Sequence, residues 1–540
     1  MQGSYRFWDR PKILILIALA VVLGVPFIFA LARDGVDTPS NAERLVIVTP
    51  HNEQIRLEFH RAFSRWHEEH YGTPIVIDWR QPGGTSEIRK QLESQYITAL
   101  RDGVILPDGT MAPGMSMVYD LMFGGGSYEH DQLKRGVSFR LHGPDEPSTT
   151  LSINTPVALS AAELNDIFGE NRIGAGYLYD PDGYWVGSAL SGFGIIYNRN
   201  TLKDLGLPEP RSWEDIADPR YTGWLALADP RMSGSVTTTY DSILNYHGWE
   251  GWRILQAMSA NARYFSNNAS KIPVDVSQGE AAAGVSIDFY GRYQSQAVMR
   301  EGETPQTTRV GYIDPPGVTY IDADPISKLL GAPNDEIADR FIRFVLSEQG
   351  QALWQFRATG RGAPPDVLGP RQYELRRMPV LRQMYERRDL FVDSEIDPFR
   401  TAMETASRGW RSAVAPMMAA FSCDIHRDQV RAWTALNRVR AAVDLGQVPY
   451  DSYQRLEDLF YQMPSHTFPA DFPIADLAGQ TLEFNEANYR TIRLDWAGSR
   501  PLEAQPVLGG RPRAETQIAY TTHFRRNYRE IVRLAGQLLR

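Results

Sequence analysis

A chain of 540 residues with ordinary hydrophobic (43%) and charged (22%) fractions can build two or three domains with real cores, which excludes disorder as its default state. A formal net charge of -9, with no stripe of clustered lysine and arginine, argues against a nucleic-acid partner. The single cysteine, Cys423, excludes an internal disulfide framework and a cysteine-based zinc cluster, and reads as a small buried hydrophobe.

Arg6, Arg10 and Lys12 precede an apolar, charge-free run at residues 13–32, after which the chain turns polar. About twenty residues at a rise of ~1.5 Å match the ~30 Å hydrocarbon core, so the run is expected to be a transmembrane helix with its positive end in the cytoplasm. Everything after it then lies on the extracytoplasmic face. The alternative is a cleaved signal peptide, for which Ala30-Leu31-Ala32 offers a small-x-small site; no cysteine stands at the end of the run to carry a lipid. Residues 1–43 are thus read as anchor, or signal segment, and tether.

The run "RLVIVTPHNEQI" (residues 44–55) predicts a parallel-type strand that breaks at Pro50-His51. Ile55, Phe59, Phe63 and Trp66 follow at helical spacing on one face. A second strand (residues 73–80) and the glycine turn Gly83-Gly84-Thr85-Ser86 into another helix complete the opening of an α/β lobe, in which ligands sit at the carboxyl ends of the strands. Three such ends are candidate contacts: the turn holding His51, the turn holding Thr85 and Ser86, and "YDLMFGGG" (residues 119–126) with Gly125.

"GYWVGSALSGFGIIYNRNTL" (residues 183–202) reads as a pair of strands. A buried β-run (residues 224–228) then ends in Asp229-Pro230 and passes through Ser233, Gly234 and Ser235 into a helix rich in threonine. The first amides of a helix lack internal partners and, with the helix dipole, favour an anion; a plain helix cap is the other reading of the same turn. Farther on come the polar turn "SNNAS" (residues 266–270) with Asn268, and "VSIDFY" ending in Asp288, Phe289 and Tyr290. An amphipathic helix is predicted over residues 335–346, and another opens at Ser347. Residues 365–540 show helical periodicity with many arginines and are read as a helical C-terminal extension packed on the first lobe, its arginines solvated or engaging a partner.

In this order, residues 44–360 resemble the extracytoplasmic solute-binding proteins of ABC importers, in the ferric-iron and phosphonate-type cluster of the two-lobed (type II) periplasmic binding fold. The resemblance implies an α/β fold with hinge crossovers: lobe 1 from residues 44–190 and 312–364, lobe 2 from residues 191–311. It implies a binding protein, not an enzyme, partnered by ABC permease subunits at the periplasmic face of the cytoplasmic membrane. The family's ferric members hold iron with a histidine at the first turn, a carboxylate after the acid-led strand, and two adjacent tyrosines. Here His51 and Tyr290 stand at two of those places, and Phe289 and the glycines at 124–126 at the others. Fe(III) as cargo would then need substitute donors such as Asp288, Glu129 or Tyr293. The anion side is better kept, with Ser233, Gly234, Ser235 and Asn268 suited to a phosphonate or phosphate ester. Asp288 would face an amine on the same ligand, or simply cap the chain. The full expected ligand set is His51, Thr85, Ser86, Gly125, Ser233, Gly234, Ser235, Asn268, Asp288 and Tyr290, with no resident cofactor. A ligand sensor or scaffold, with the extension as partner-binding element, is the alternative function.

Other motifs carry no chemistry. His67 and His70 in "HEEH" are three apart, not the four that puts two imidazoles on one helical face, and neither a phosphate-binding Walker loop nor a Gly-x-Ser-x-Gly elbow is present. The sequon at Asn268-Ala269-Ser270 is read as coincidence.

Overall fold

The computed structural model describes residue 19 and residues 41–139, 149–304, 306–360, 362–364, 366–496 and 512–540. Apart from Leu19, the expected membrane span at residues 13–32 lies outside the described residues. Among those described, no helix is long and apolar enough to cross a membrane.

The first strand, β1 (Glu43–Val48), buries its apolar run and pairs in parallel with β2 (Ile75–Arg80) and with β3 (Leu121–Phe123). Between β1 and β2 lies α1 (Glu53–Tyr71); the Asn52 side chain accepts from the Ile55 amide, and Gly72 at φ 70° ends the helix. Its buried face holds Ile55, Phe59 and Phe63, as the spacing predicts, with Trp66 stacked beside Phe63. Two further helices, α2 (Thr85–Arg101) and α3 (Ser127–Arg135), leave the carboxyl ends of β2 and β3.

The chain then forms β4 (Val186–Ser191), which belongs to this first sheet, and β5 (Phe193–Asn198), which belongs to a second. The crossover between lobes falls at Gly192, where any Cβ would lie 3.1 Å from Asp314 Oδ1 on the returning crossover segment. The second lobe follows as β6 (Leu225–Ala228), α4 (Gly234–His247), α5 (Gly251–Asn261), β7 (Ala262–Ser266), β8 (Ala283–Ile287), α6 (Asp288–Ala297) and β9 (Val310–Ile313). Its sheet runs in the order β7-β6-β8-β5-β9. The chain returns across residues 314–321 into β10 (Asp322–Leu329), which lies antiparallel between β3 and β4. Two adjacent crossovers make a hinge on which lobes can close over a ligand. The amphipathic helix α7 (Asp335–Val345) and α8 (Glu348–Gln355), capped by Ser347, pack on the first lobe where the sequence places them.

The C-terminal third departs from its expected place. Its first part, with β11 (Met378–Pro379) paired to β4 and with Leu375, Val380, Leu381, Met384 and Phe391 in the first core, completes lobe 1. The helical remainder, α9 (Arg411–Met418), α10 (His426–Asp444), α11 (Tyr450–Tyr461) and α12 (Ala514–Leu538), packs on the second lobe and not on the first. The reason lies in α5. Trp252, Leu255, Met258 and Ala260 are buried together with Gln256, Ser259 and Asn261, so the helix is enclosed on every side. One side faces the sheet and the other faces the extension, where Trp433 Nε1 donates to Asn261 Oδ1 at 2.8 Å. Cys423 sits half-buried at the edge of this shared core, and burial keeps its thiol protonated.

Candidate functional site

A cleft of about 360 Å³ opens between the lobes. Its first-lobe wall is built at strand ends. The carboxyl end of β3 runs into Gly124 and Gly125, with φ of 95° and 112°, where a side chain would strike His51 at 2.4 Å and Thr85 at 2.3 Å. Glycine is required there by conformation and by space. Gly125 N donates to Asp324 Oδ1 at 2.6 Å, and Ser127 N donates to Asp322 Oδ2 at 3.1 Å. Both carboxylates come from the start of β10.

At the back of the cleft is a buried charge cluster. Asp324 Oδ2 lies 2.8 Å from His51 Nε2 and 2.7 Å from Arg377 Nη1. Arg377 also reaches the Ser191 hydroxyl and lies over the Phe289 ring at 4.4 Å, and its Nε is buried with no partner. Burial alone would raise the Asp324 pKa, yet Arg377, His51 and the Gly125 amide hold it below the usual range. Burial lowers the His51 pKa despite Asp324, so the imidazole is neutral, and its Nδ1 has no partner.

Asp322 has no such cation. Burial, opposed by Ser127 and Arg411, pushes its pKa up to about 7. The unfolded chain releases this proton near pH ~4 and the folded one near pH ~7, so the folded state binds more protons in that window and the group's contribution to stability falls as pH rises through it. Asp322→Asn is therefore expected to leave the melting temperature nearly unchanged at about pH 4 and to raise it at about pH 8, as read by scanning calorimetry.

The second-lobe wall is the N-terminus of α4. Ser233 caps it, accepting from Val236 N, and Gly234, Ser235, Thr238 and Thr239 line the cleft. Gly84 and Thr85, at the start of α2, face it from the first lobe. Two helix N-termini thus flank one cavity, each offering first-turn amides that have no intrahelical acceptor. Asn268 uses its Oδ1 within its own turn, accepting from Ser270 N and Oγ, so what it offers a ligand is its Nδ2 donors.

Of the expected contacts, His51, Thr85, Gly125, Ser233, Gly234, Ser235, Asn268 and Tyr290 come together in this lining. Ser86 and Asp288 do not. Ser86 is not in the cleft lining; its Oγ donates to Glu129 Oε1 at 2.9 Å, beside Gly234. Asp288 is buried, accepts from the Phe289 amide and pairs with Arg292, tying α6 to Asp314 on the return crossover. The substitute metal donors fall outside as well: Glu129 is held by Ser86 and Arg89, and Tyr293 takes a hydrogen bond from Gln54 at 3.2 Å. Among the described residues no group of three or more His, Cys, Asp or Glu side chains is placed to hold a metal ion. Burial raises the Tyr290 pKa, so the phenol keeps its proton.

Sequence reasoning missed Arg377, Asp322, Asp324 and Ser191. Asp322 and Asp324 did leave a signal, two acids at alternate positions at the head of a strand whose eight residues are all buried. Arg377 left none.

Fold and cleft together make a two-lobed α/β architecture with its cavity between the lobes. Residues 164–369 match the family model described as bacterial extracellular solute-binding protein, the family type that the sequence resembles. The phosphoglycerate transport regulatory proteins PgtC of Salmonella typhimurium and Salmonella typhi are each 26% identical over 277 residues, 49% of this chain. The match covers 63% of those relatives, less than two thirds of their length. Similar solved structures include the periplasmic binding protein AfuA from Actinobacillus pleuropneumoniae with fructose-6-phosphate bound, at 16% identity and TM-score 0.42, covering 57% of this chain and 81% of that one. A ferric binding protein from Campylobacter jejuni is similar at 17% identity and TM-score 0.42, covering 63% of this chain and 87% of that one.

Proposed function

We propose that the protein is an extracytoplasmic solute-binding protein that captures a small phosphate- or phosphonate-type anion in the interlobe cleft and delivers it to an ABC permease. In this reading the apolar run at residues 13–32 holds the lobes at the outer face of the cytoplasmic membrane. The observation that carries the ligand class is the buried Arg377, whose Nε has no partner, in a cavity flanked by the N-termini of α2 and α4. The neutral donors of Ser233, Ser235, Thr238 and Asn268 surround the same space. The name of the Salmonella relatives, which refers to phosphoglycerate transport, favours the same ligand class.

Ferric iron fits these residues less well. A guanidinium lies 3.0 Å from His51 Nε2, so permanent positive charge sits beside the first donor a cation would need, and a protonated Tyr290 is a poor ligand for a hard ion. A second reading, a ligand sensor, is favoured by the word "regulatory" in the relatives' name and by the helical layer fused to lobe 2, which would move with that lobe on closure.

Thermal shift and titration calorimetry on the chain from residue 41 onward, against 3-phosphoglycerate, fructose-6-phosphate, inorganic phosphate and ferric citrate, test the proposal. A ligand at about a thousandfold its Kd stabilises by about 4 kcal/mol and raises the melting point by several degrees. One phosphate compound is expected to do so and ferric citrate is not. Ser233→Ala is expected to lower stability by about 1 kcal/mol through the lost cap and to weaken that ligand. A shift with iron alone, or with no compound in the panel, would overturn the anion reading.

A further inference from the structure

The chain passes between the lobes a third time, and on this pass it carries the C-terminal extension with it. Phe399 and Ala402 still pack on the first core. Met403, which is buried, donates its amide to Thr319 O on the return crossover at 3.0 Å and accepts from the Ala175 amide of lobe 1 at 3.0 Å. Five residues on, Arg408 is fixed to lobe 2: its amide donates to Asn245 Oδ1 at 2.8 Å and its Nε to Asn245 O at 3.0 Å, near the end of α4. Trp410 then enters the second core, stacked on Tyr489. A strap of five residues reaches at most about 18 Å, so the extension rides on lobe 2 while tied close to the hinge.

Arg411, the first residue of α9, uses this position to touch both lobes. Its Nη1 donates to Thr238 Oγ1 at 2.6 Å and its Nη2 to Gly234 O at 3.2 Å, both on the opening turns of α4. The same guanidinium lies over the ring of Tyr128, on α3 of lobe 1, at 4.1 Å from its centre. A planar cation can do both at once, because its edge donates while its face stacks. The lobes approach closely at this joint, where a Cβ on Gly234 would lie 3.1 Å from Ser86 Oγ and from Glu129 Oε1. Arg89 and Arg231 border the joint without bridging it: Arg89 pairs with Glu93 and Glu129 inside lobe 1, and Arg231 with Asp229 and Asp424 on the lobe 2 side.

We propose that Arg411 is a positioning residue for solute capture: a latch, supplied by the extension, that holds Tyr128 of lobe 1 against the opening turns of α4 and so biases the cleft toward its closed arrangement. Hinge motion about the crossovers moves α3 and α4 apart. Arg411 goes with α4, to which it is hydrogen-bonded, and the stacking on Tyr128 is lost. A contact made in one arrangement only shifts the equilibrium between the two. A half-buried guanidinium on an aromatic face supplies a bias of about tenfold. Neither Arg411 nor Tyr128 lines the anion cleft, so the latch acts without touching the solute. Its effect on affinity rests on the anion reading above; its effect on the lobes does not.

Tyr128→Phe keeps the ring under Arg411 and Tyr128→Leu removes it, and neither alters a charge. Spin labels at Arg101→Cys on α2 and Glu301→Cys beyond α6, both exposed positions, read the interlobe distance in the full-length, ligand-free protein carrying Cys423→Ala. The population of the longer distance relative to the shorter is expected to rise about tenfold in Tyr128→Leu and in Arg411→Gln, and to keep the parent value in Tyr128→Phe. Should Arg411→Gln fail to fold, the two Tyr128 variants carry the comparison. Stopped-flow release of the phosphate compound that binds is expected to be about tenfold faster in Tyr128→Leu and unchanged in Tyr128→Phe. Equal distances in all these proteins overturn the latch and leave the anion reading intact. Longer distances in Tyr128→Leu with release at the parent rate overturn its part in capture. If no phosphate compound binds, the anion reading falls while the distances still decide the latch.

Discussion

Arg377→Ala is expected to weaken solute binding severely and, separately, to destabilise the first lobe. The two effects have different origins. Arg377 and Asp324 are each 3% exposed at the side chain and lie 2.7 Å apart, so removing the guanidinium strands a carboxylate in the interior. Breaking a buried pair from one side costs about 3–5 kcal/mol, since the desolvation already suffered by the remaining charge is no longer offset. His51 is a poor substitute for the lost cation, because burial opposes its protonation even beside Asp324. In the wild type Asp324 titrates below the usual range, so its contribution to stability is present above the unfolded pKa and is lost as pH falls through the folded one. Without Arg377 the sign reverses: Asp324 holds its proton more tightly when folded, and the variant is expected to lose stability as pH rises from about 4. The double variant Arg377→Ala, Asp324→Asn removes both charges and is expected to regain most of the melting temperature while still binding the solute about 2–5 kcal/mol more weakly than the wild type. Arg377→Lys keeps the charge but not the planar fork, and is expected to lie between. Calorimetric titration beside melting curves at two pH values reads all four proteins; a variant lacking Arg377 that still binds a phosphate ester with wild-type affinity would remove the central residue of the proposed site.

How much of this was legible in the chain depends on how local the determining physics is. The turn at Ser233, Gly234 and Ser235 could be read because a helix N-terminus after a buried strand has a local signature, and Gly125 because a strand running into three glycines marks a turn at a strand end, whether a ligand contact or an ordinary strand-to-helix turn. The crossover strands could be read as a pair because both are apolar runs parted by a single glycine, Gly192. Asp288 and Ser86 show the limit of such reading. Each lies in a stretch that borders the cleft, but the rotation of its helix turns the side chain to Arg292 in one case and to Glu129 in the other. Arg377 was beyond reach because it enters the site through a two-residue strand pairing, Met378 to Leu190 and Pro379 to Ala189, which no periodicity announces. Asp324 depends likewise on the register of β10 between two partners far apart in sequence. The docking of the extension was misread for a subtler reason: the amphipathic stripes of the C-terminal helices say that they pack on something, and only the enclosure of α5 on every side says on what.

That enclosure leads to the other large effect. Cutting the chain after Met403 is expected not to trim an appendage but to unfold the second lobe. Trp252, which is 1% exposed, meets Trp410 edge to face at 6.1 Å and lies near Phe421 and Phe484, so its ring is buried chiefly by residues of the extension. Removing them would open to water the outer face of α5, including Asn261, whose Oδ1 accepts from Trp433 Nε1, and Gln256, whose carbonyl accepts from Gln429. The single substitution Trp252→Ala samples the same junction at a smaller scale, with an expected loss of about 3–5 kcal/mol for a large ring deleted from a packed core. The first lobe has its own core, completed by β11 and Phe391, and does not depend on these contacts. Limited proteolysis of the truncated chain is therefore expected to degrade residues of the second lobe and to leave the first resistant. A truncated protein that melts in one transition near the wild-type temperature would show instead that lobe 2 stands alone. In the expected case, the helical layer is part of the binding machinery in a physical sense, because the helix that presents Ser233, Gly234 and Thr238 to the cleft is held from behind by Arg411 of α9.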